Sequence, residues 1–478
     1  MSSGQLFADH ALLPGGWARD VLLAWDAQGT LTAVDANARA PAEAARAAGP
    51  LLPGMPNLHS HAFQRGFAGL SEYRSADAAD SFWTWRALMY RFALAVSPEQ
   101  LEAIATQLYV EMLAAGYTSV CEFHYLHHDP AGQRYADPAE MALRLVAAAQ
   151  RAGIGITLLP VLYQHAGFGG TLPRTDQRRF ISSTDTLLDI VQRLRAQGAA
   201  VGVAPHSLRA VGPAALREVV TGLHAIDPAA PVHIHIAEQQ DEVDACVAWS
   251  GLRPVAWLLA NAPVDARWCL VHATHLDPSE RTALAASGAV AGLCPTTEAN
   301  LGDGVFDAAF HLGAGGAWGI GSDSHASVDP AEELRLLEYT QRLALQRRNV
   351  LASDAQRQVA DRLWLGAVAG GARASGRAAG DSAAGSPAVG DRAAGGPAPG
   401  GLTIGAPADF VVLDTTGPLA GLAPAQALAS HVFANQRGNA VRDVFVAGVQ
   451  RVHDGAHPLQ QVACDRFVAA RAALLREV

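Results

Sequence analysis

Lysine is absent from this chain of 478 residues, and all 35 of its basic residues are arginines. Without a primary side-chain amine there is no Schiff-base chemistry, no covalent pyridoxal phosphate and no phosphate-gripping lysine of a nucleotide loop. A carbamylated lysine bridging two metal ions is excluded on the same ground. Cysteine is scarce: Cys121, Cys246, Cys269, Cys294 and Cys464 are scattered with no Cys-x-x-Cys pair. That usage fits reduced, buried thiols better than a disulfide framework or a thiolate zinc site. No apolar run reaches the length of a membrane span, and the first residues, "MSSGQLFADHALL", lack the basic region and long apolar core of a signal peptide. A cytoplasmic protein is expected. The net charge is −10, with no basic stripe carrying interleaved aromatics, so neither nucleic acid nor an anionic membrane surface is an expected partner.

What is present is apolar and punctuated. Hydrophobic residues make up 50% of the chain and charged ones 17%, enough for one large core and a smaller one. Eight short apolar runs each end in a polar cluster: "LLPGMPNLHSH", "YTSVCEFHY", "GIGITLLPVLYQH", "AVGVAPHSLR", "PVHIHIAEQ", "RWCLVHATH", "AVAGLCPTTEAN" and "AWGIGSDSHAS". Runs apolar throughout read as strands buried on both faces, and the Ala/Leu/Arg-rich stretches between them have room for crossover helices. The fold class expected is α/β, a (β/α)8 barrel over residues 51–375, whose functional groups sit at the C-terminal strand ends. The flanks read as a small β-sandwich formed from both termini: residues 1–50, with "DVLLAWDAQGTLTAVDA", and residues 402–478, with "ADFVVLD", "VRDVFVAGVQRVHDG" and a terminal helix. Between them, residues 376–401 have the composition of a flexible loop, and "GDSAAGSPA" at 380–388 recurs as "GDRAAGGPA" at 390–398.

The polar strand ends carry the chemistry. In "MPNLHSHAFQRG" His59 and His61 stand two apart on a strand and share a face. His-x-His alone is a weak signal, but the fifth run ends in His235 and Glu238, the sixth in His272 and the eighth in Asp323. A closed barrel brings His59, His61, His235 and Asp323 to one point with Glu238 and His272 beside it, the composition of an open catalytic metal site. His233 reads instead as a packed barrel residue one layer deeper, and His127, His128, His275 and His325 as loop residues. The plainer reading of Asp323 is an N-cap for the "DPAEELRLLEY" helix. Arginines in "WTWRALMYR" and "PHSLRAV" stand near the mouth of the site, where a guanidinium can grip a carboxylate bidentately. The plainer reading of Arg86 is cation–π packing on Trp83 or Trp85; Arg91 is not assigned to the site.

Taken together the motifs resemble the amidohydrolase superfamily, whose members carry His-x-His on the first strand, histidines on the fifth and sixth, aspartate on the eighth, and a β-sandwich from the two termini. Within it, "PGMPNLHSHAFQRG", "FWTWRALMY", "EFHYLHH", "APHSLRAV", "HIHIAEQ" and "GIGSDSHAS" are similar to the formimidoylglutamate deiminase family of histidine degradation. The resemblance implies hydrolysis of N-formimidoyl-L-glutamate to N-formyl-L-glutamate and ammonia by a homodimer. It implies Arg86 and Arg209 on the two carboxylates of a small dicarboxylate substrate, with Gln64, Tyr125 and His206 completing the pocket. One divalent metal per chain is expected on His59, His61, His235 and Asp323, Zn²⁺ foremost with Fe²⁺ compatible, since the missing lysine argues against a bridged pair. Asp323 would take the proton of the attacking water, while Glu238 and His272 would protonate the leaving nitrogen and stabilise the tetrahedral intermediate. Two other readings stay open: a deaminase of the same superfamily acting on a neutral nucleobase or triazine, and a non-catalytic barrel scaffold.

Overall fold

Each of the eight apolar runs contains a β-strand in the computed structural model, which describes residues 3–74, 82–377, 400–434 and 440–477. The repeated tract at 380–398 lies outside the described residues. Numbering the barrel strands alone, β1 is Met55–Ser60, β2 Tyr117–His124, β3 Gly155–Leu162, β4 Ala204–Pro205, β5 Val232–Ile236, β6 Trp268–His272, β7 Val290–Leu293 and β8 Ala317–Ile320. Neighbours pair in parallel from β1 to β4 and from β5 to β8. Parallel bridges Val203–Val232 and Ser60–Asp323 join the two halves and close the ring. Hydrogen bonds from Asp323 N to His59 O (3.0 Å) and from His61 N to Asp323 O (3.2 Å) make the β8–β1 seam. The seam needs Gly321, because a Cβ there would lie 2.7–2.8 Å from the Cβ and backbone of His59.

The crossover helices are punctuated as their sequences direct. Helix α1 is Phe82–Ala95 and α2 is Pro98–Ala115. Before α2, Ser97 Oγ accepts from Gln100 N (3.2 Å) while Gln100 Oε1 accepts from Ser97 N (2.8 Å), Pro98 opens the first turn, and Gly116 at φ 102° ends the last. The helix Pro330–Leu345 is capped by Asp329, whose side chain accepts from Ala331 N. Asp323 therefore has no capping duty there and is free for the barrel mouth.

The first run divides in two. Leu51–Pro53 pairs antiparallel with Phe410–Leu413 in a second sheet, and only after Gly54, where a Cβ would meet Thr118 at 2.4 Å, does the chain enter the barrel. That second sheet runs Val449–Val452, Val441–Val446, Phe410–Leu413, Leu51–Pro53, Gly4–Leu13, Gly16–Trp25 and Leu31–Asp35, so it is built from both ends of the chain. The strand Gly4–Leu13 belongs to it, though its residues carry no clean alternation. A separate apolar cluster of Leu6, Val21, Leu23, Trp25, Leu31 and Phe410 holds this sheet together. The helices Pro424–Phe433 and Gln460–Leu474 leave it and pack on barrel helices, with Phe467 and Leu474 buried in the barrel's own core. No helix among the described residues is long and apolar enough to cross a membrane.

Candidate metal and substrate site

At the C-terminal end of β1, His59 and His61 point to the same side, and their Nε2 atoms lie 3.1 Å apart. From β5, His235 brings its Nε2 to 3.0 Å from that of His59. From the end of β8, Asp323 Oδ1 stands 3.5 Å from His59 Nε2 and 3.3 Å from His61 Nε2. All four residues are buried, and their ligand atoms lie within 4.8 Å of one another. Ala237, His272, Ala273 and Asp323, just at the ends of β5, β6 and β8, have φ between 46° and 68°. Non-glycine residues in the left-handed region mark backbone held against its preference, as functional sites often are.

The donor chemistry of this cluster fits a cation. His61 Nδ1 faces Phe123 O at 2.9 Å and His235 Nδ1 faces His206 O at 3.2 Å, so both rings donate from Nδ1 and present a bare Nε2. Burial, reinforced for His235 by the neighbouring histidines, holds both well toward the neutral form. His59 is lowered to about 3, by burial first and then by His61 and His272, against the opposing pull of Asp323. Burial pushes Asp323 up, but the hydrogen bond and charge of His59, then His272 and His61, override it and leave the carboxylate ionised. Three imidazole lone pairs and a carboxylate aimed at one point repel each other unless a positive ion lies among them, and His₃Asp is a set suited to Zn²⁺ or Fe²⁺.

Beside the cluster, His272 Nε2 is 3.7 Å from both Glu238 Oε1 and Asp323 Oδ2, while its Nδ1 is 3.3 Å from Glu298 Oε1. Burial would lower His272, yet Glu238, Glu298 and Asp323 outweigh it and raise it to about 10. Glu238 is itself raised by burial, against the pull of His272 and Arg209. The pair thus retains a proton at neutral pH. Glu298, fixed by Cys294 N (2.9 Å), orients the ring from behind. It lies in the helix Pro295–Leu301, within the polar end of the seventh run, so a strand end is the available signal although sequence reasoning assigns it no role.

These groups border a cleft at the barrel mouth with about 580 Å³ of free space, part of it open to solvent. Gln64, Arg86, Tyr125, His206 and Arg209 line it together with His61, His235, Glu238, His272 and Asp323; His59 lies beneath. The remaining wall is mostly aromatic, with Trp85, Tyr90, Tyr163 and Phe180; of these, sequence reasoning names only Trp85, as a packing partner of Arg86. Tyr163 stands one residue past β3, so a strand end was the available signal. Gln64 Nε2 donates to Tyr125 Oη (3.1 Å), leaving Gln64 Oε1 buried and unpartnered. Burial and Arg209 hold His206 neutral.

Arg209 is 84% removed from solvent as a side chain at 16% exposure, with Nη2 3.8 Å from Glu242 and 4.0 Å from Glu238, and its Nε has no partner. Arg86 lies 4.2 Å over the ring of Trp83 and 5.5 Å from that of Tyr90, so the packing contact anticipated for it exists. It lines the cavity all the same, and among the described residues it has no carboxylate partner. Arg91 is exposed on the outer face of α1. His233 is fully buried and bonds Ala374 O (2.8 Å). His127, His128 and His275 lie in loops and bond backbone carbonyls at 2.8 Å, and His325 is buried between Ser60 and Ser322.

The chain is similar to known proteins over nearly its whole length. The formimidoylglutamate deiminase of Pseudomonas aeruginosa is 51% identical over 474 residues, covering 98% of this chain and 99% of that one. A solved amidohydrolase from Brucella melitensis is 46% identical with a TM-score of 0.88, covering 99% of this chain and all of that one. An adenosine deaminase from Xanthomonas campestris, solved with bound zinc, shares the fold at 21% identity and a TM-score of 0.77 over 99% of both chains. The model of the amidohydrolase family matches residues 51–389. With the fold, the His₃Asp metal site and these relatives in agreement, the chain belongs to the amidohydrolase family.

Proposed function

We propose that the protein hydrolyses N-formimidoyl-L-glutamate to N-formyl-L-glutamate and ammonia, with one divalent ion per chain, Zn²⁺ foremost, held by His59, His61, His235 and Asp323. The observation that carries this reading is the presence of two guanidiniums, Arg86 and Arg209, in one cavity with that metal cluster. A dianionic substrate balances both; a neutral heterocycle leaves Arg86 without a carboxylate among the described residues. The relative named for this reaction supports the same substrate.

When bound, the metal supplies Lewis acidity and lowers the pKa of water to about 7. The protein's own groups do the rest. Asp323, ionised, accepts the proton of the attacking water. Its Oδ2 faces His272 Nε2 at 3.7 Å, so once His272 has given its proton to the departing nitrogen the proton on Asp323 can replace it. Water adds to the formimino carbon, Glu238 and His272 protonate the departing nitrogen, and the C–N bond breaks as ammonia leaves and the carbonyl forms. Gln64 Oε1 is an unpartnered acceptor suited to an N–H of the substrate. A cytoplasmic homodimer completes the proposal, the reduced thiols of the chain suiting that compartment.

Ammonia release by the purified, metal-replete protein tests it against N-formimidoyl-L-glutamate, adenosine, 8-oxoguanine and the aminotriazine melamine. Turnover of the first alone is expected. Faster release from a neutral heterocycle would reassign the enzyme, and no release from any would support the scaffold.

A further inference from the structure

The turn Thr175–Gln177 carries a side chain whose hydrogen bonds can be counted completely. Gln177 is 1% exposed. Its Oε1 accepts from Arg174 N (2.9 Å), which fixes the amide's orientation and leaves both N–H hydrogens on Nε2. One goes to Tyr163 Oη at 2.8 Å, the other to Tyr90 Oη at 3.3 Å. Both phenol oxygens are therefore acceptors here, and their own hydrogens must be donated elsewhere. Among the described residues no carbonyl or carboxylate takes them. If one phenol donates to the other, the second still has a hydrogen to give.

Both tyrosines line the cavity that holds Arg86 and Arg209. Tyr90 sits one turn after Arg86 on α1. The same chain segment fixes that helix, since Arg179 donates to Ala93 O (2.6 Å) and Val96 O (2.8 Å) at its C-terminal end. We infer that Gln177 is a positioning residue for the substrate carboxylate beside Arg86: by donating to both phenols it leaves at least one phenol O–H to be given to the pocket, where it joins the guanidinium as a donor. This rests on the dicarboxylate reading above and adds to it a residue that never touches substrate.

The test uses holoenzyme, N-formimidoyl-L-glutamate, and two truncated substrates, N-formimidoylglycine and N-formimidoyl-4-aminobutyrate, each lacking one carboxylate. The truncated substrate whose kcat/KM is indifferent to Arg86→Ala lacks the carboxylate in question. Gln177→Leu should raise KM for formimidoylglutamate about tenfold, the scale of a hydrogen bond to a charged group, with kcat within about twofold and metal content unchanged. It should leave that truncated substrate unaffected. In a Tyr90→Phe, Tyr163→Phe background, adding Gln177→Leu should raise KM no further. Equal losses on all three substrates, an unchanged KM, or an additive effect in that background would each overturn the inference. Gln177→Glu keeps the size and the Arg174 contact but accepts from the phenols, so it carries the same test should the leucine variant fail to fold. An enzyme that releases no ammonia from formimidoylglutamate before any substitution would instead refute the functional reading itself.

Discussion

Replacing Arg209 by alanine removes a guanidinium that is buried beside Glu238 and Glu242 and keeps one N–H without a protein partner. In the proposed complex that N–H meets a substrate carboxylate, and the fork makes a bidentate pair at a largely buried guanidinium. Truncating one partner of such a pair costs about 2–5 kcal/mol, partly because the remaining charge is left buried and uncompensated. At 1.36 kcal/mol per tenfold, this is roughly thirty- to several-thousandfold in kcat/KM, with a hundredfold or more expected here. The metal cluster makes no contact with this arginine, so metal content and fold should be retained. Arg209→Lys tests geometry apart from charge, since an ammonium cannot make the paired contact, and should recover only part of the loss. The assay is ammonia release from N-formimidoyl-L-glutamate and N-formimidoylglycine, run on Arg86→Ala in parallel to show which arginine serves which carboxylate. If Arg209→Ala turned over formimidoylglutamate as well as the parent enzyme, the two-arginine clamp would be wrong and a neutral substrate would become the better reading.

Metal analysis of active protein should give about one divalent ion per chain, because the His₃Asp cluster is complete and no lysine is available to bridge a second. Two equivalents in active protein would contradict this. Deleting residues 380–398 should leave activity and thermal midpoint close to the parent, since Arg377 and Gly400 border the same cavity and a short link can join them; loss of soluble protein would show otherwise. Glu122 lies behind the site, accepting from Ser60 Oγ, Ala62 N and Tyr109 Oη, and burial raises it to about 7. Its folded pKa exceeds its unfolded one, so its contribution is full below about pH 4.5 and lost as pH rises through about 7. The change is on the order of 3 kcal/mol, and denaturant midpoints of Glu122→Gln measured from pH 5 to 8 should lack that part of the slope. A parallel pH dependence in parent and variant would rule out this role.

The sequence by itself determined the barrel and the His₃Asp cluster at its mouth. Strands buried on both faces must be apolar throughout, so their polar ends stand out, and His59, His61, His235 and Asp323 could be read from strand order and spacing alone. The absence of lysine likewise settled which chemistries were closed to the chain. Tertiary structure alone decided the rest of the site. Gly54 hands Leu51–Pro53 to the terminal sheet, a division that depends on the Thr118 side chain packed against it. Glu298 reaches His272, and Gln177 reaches Tyr90 and Tyr163, across sequence separations of 26, 87 and 14 residues. Such partners leave no local periodicity, because a hydrogen bond between distant segments is set by where the folded backbone places them. The aromatic wall is hidden for a related reason: Trp85, Tyr90 and Phe180 look like core residues in sequence, and only the closed barrel distinguishes a ring that faces substrate from one that faces a helix.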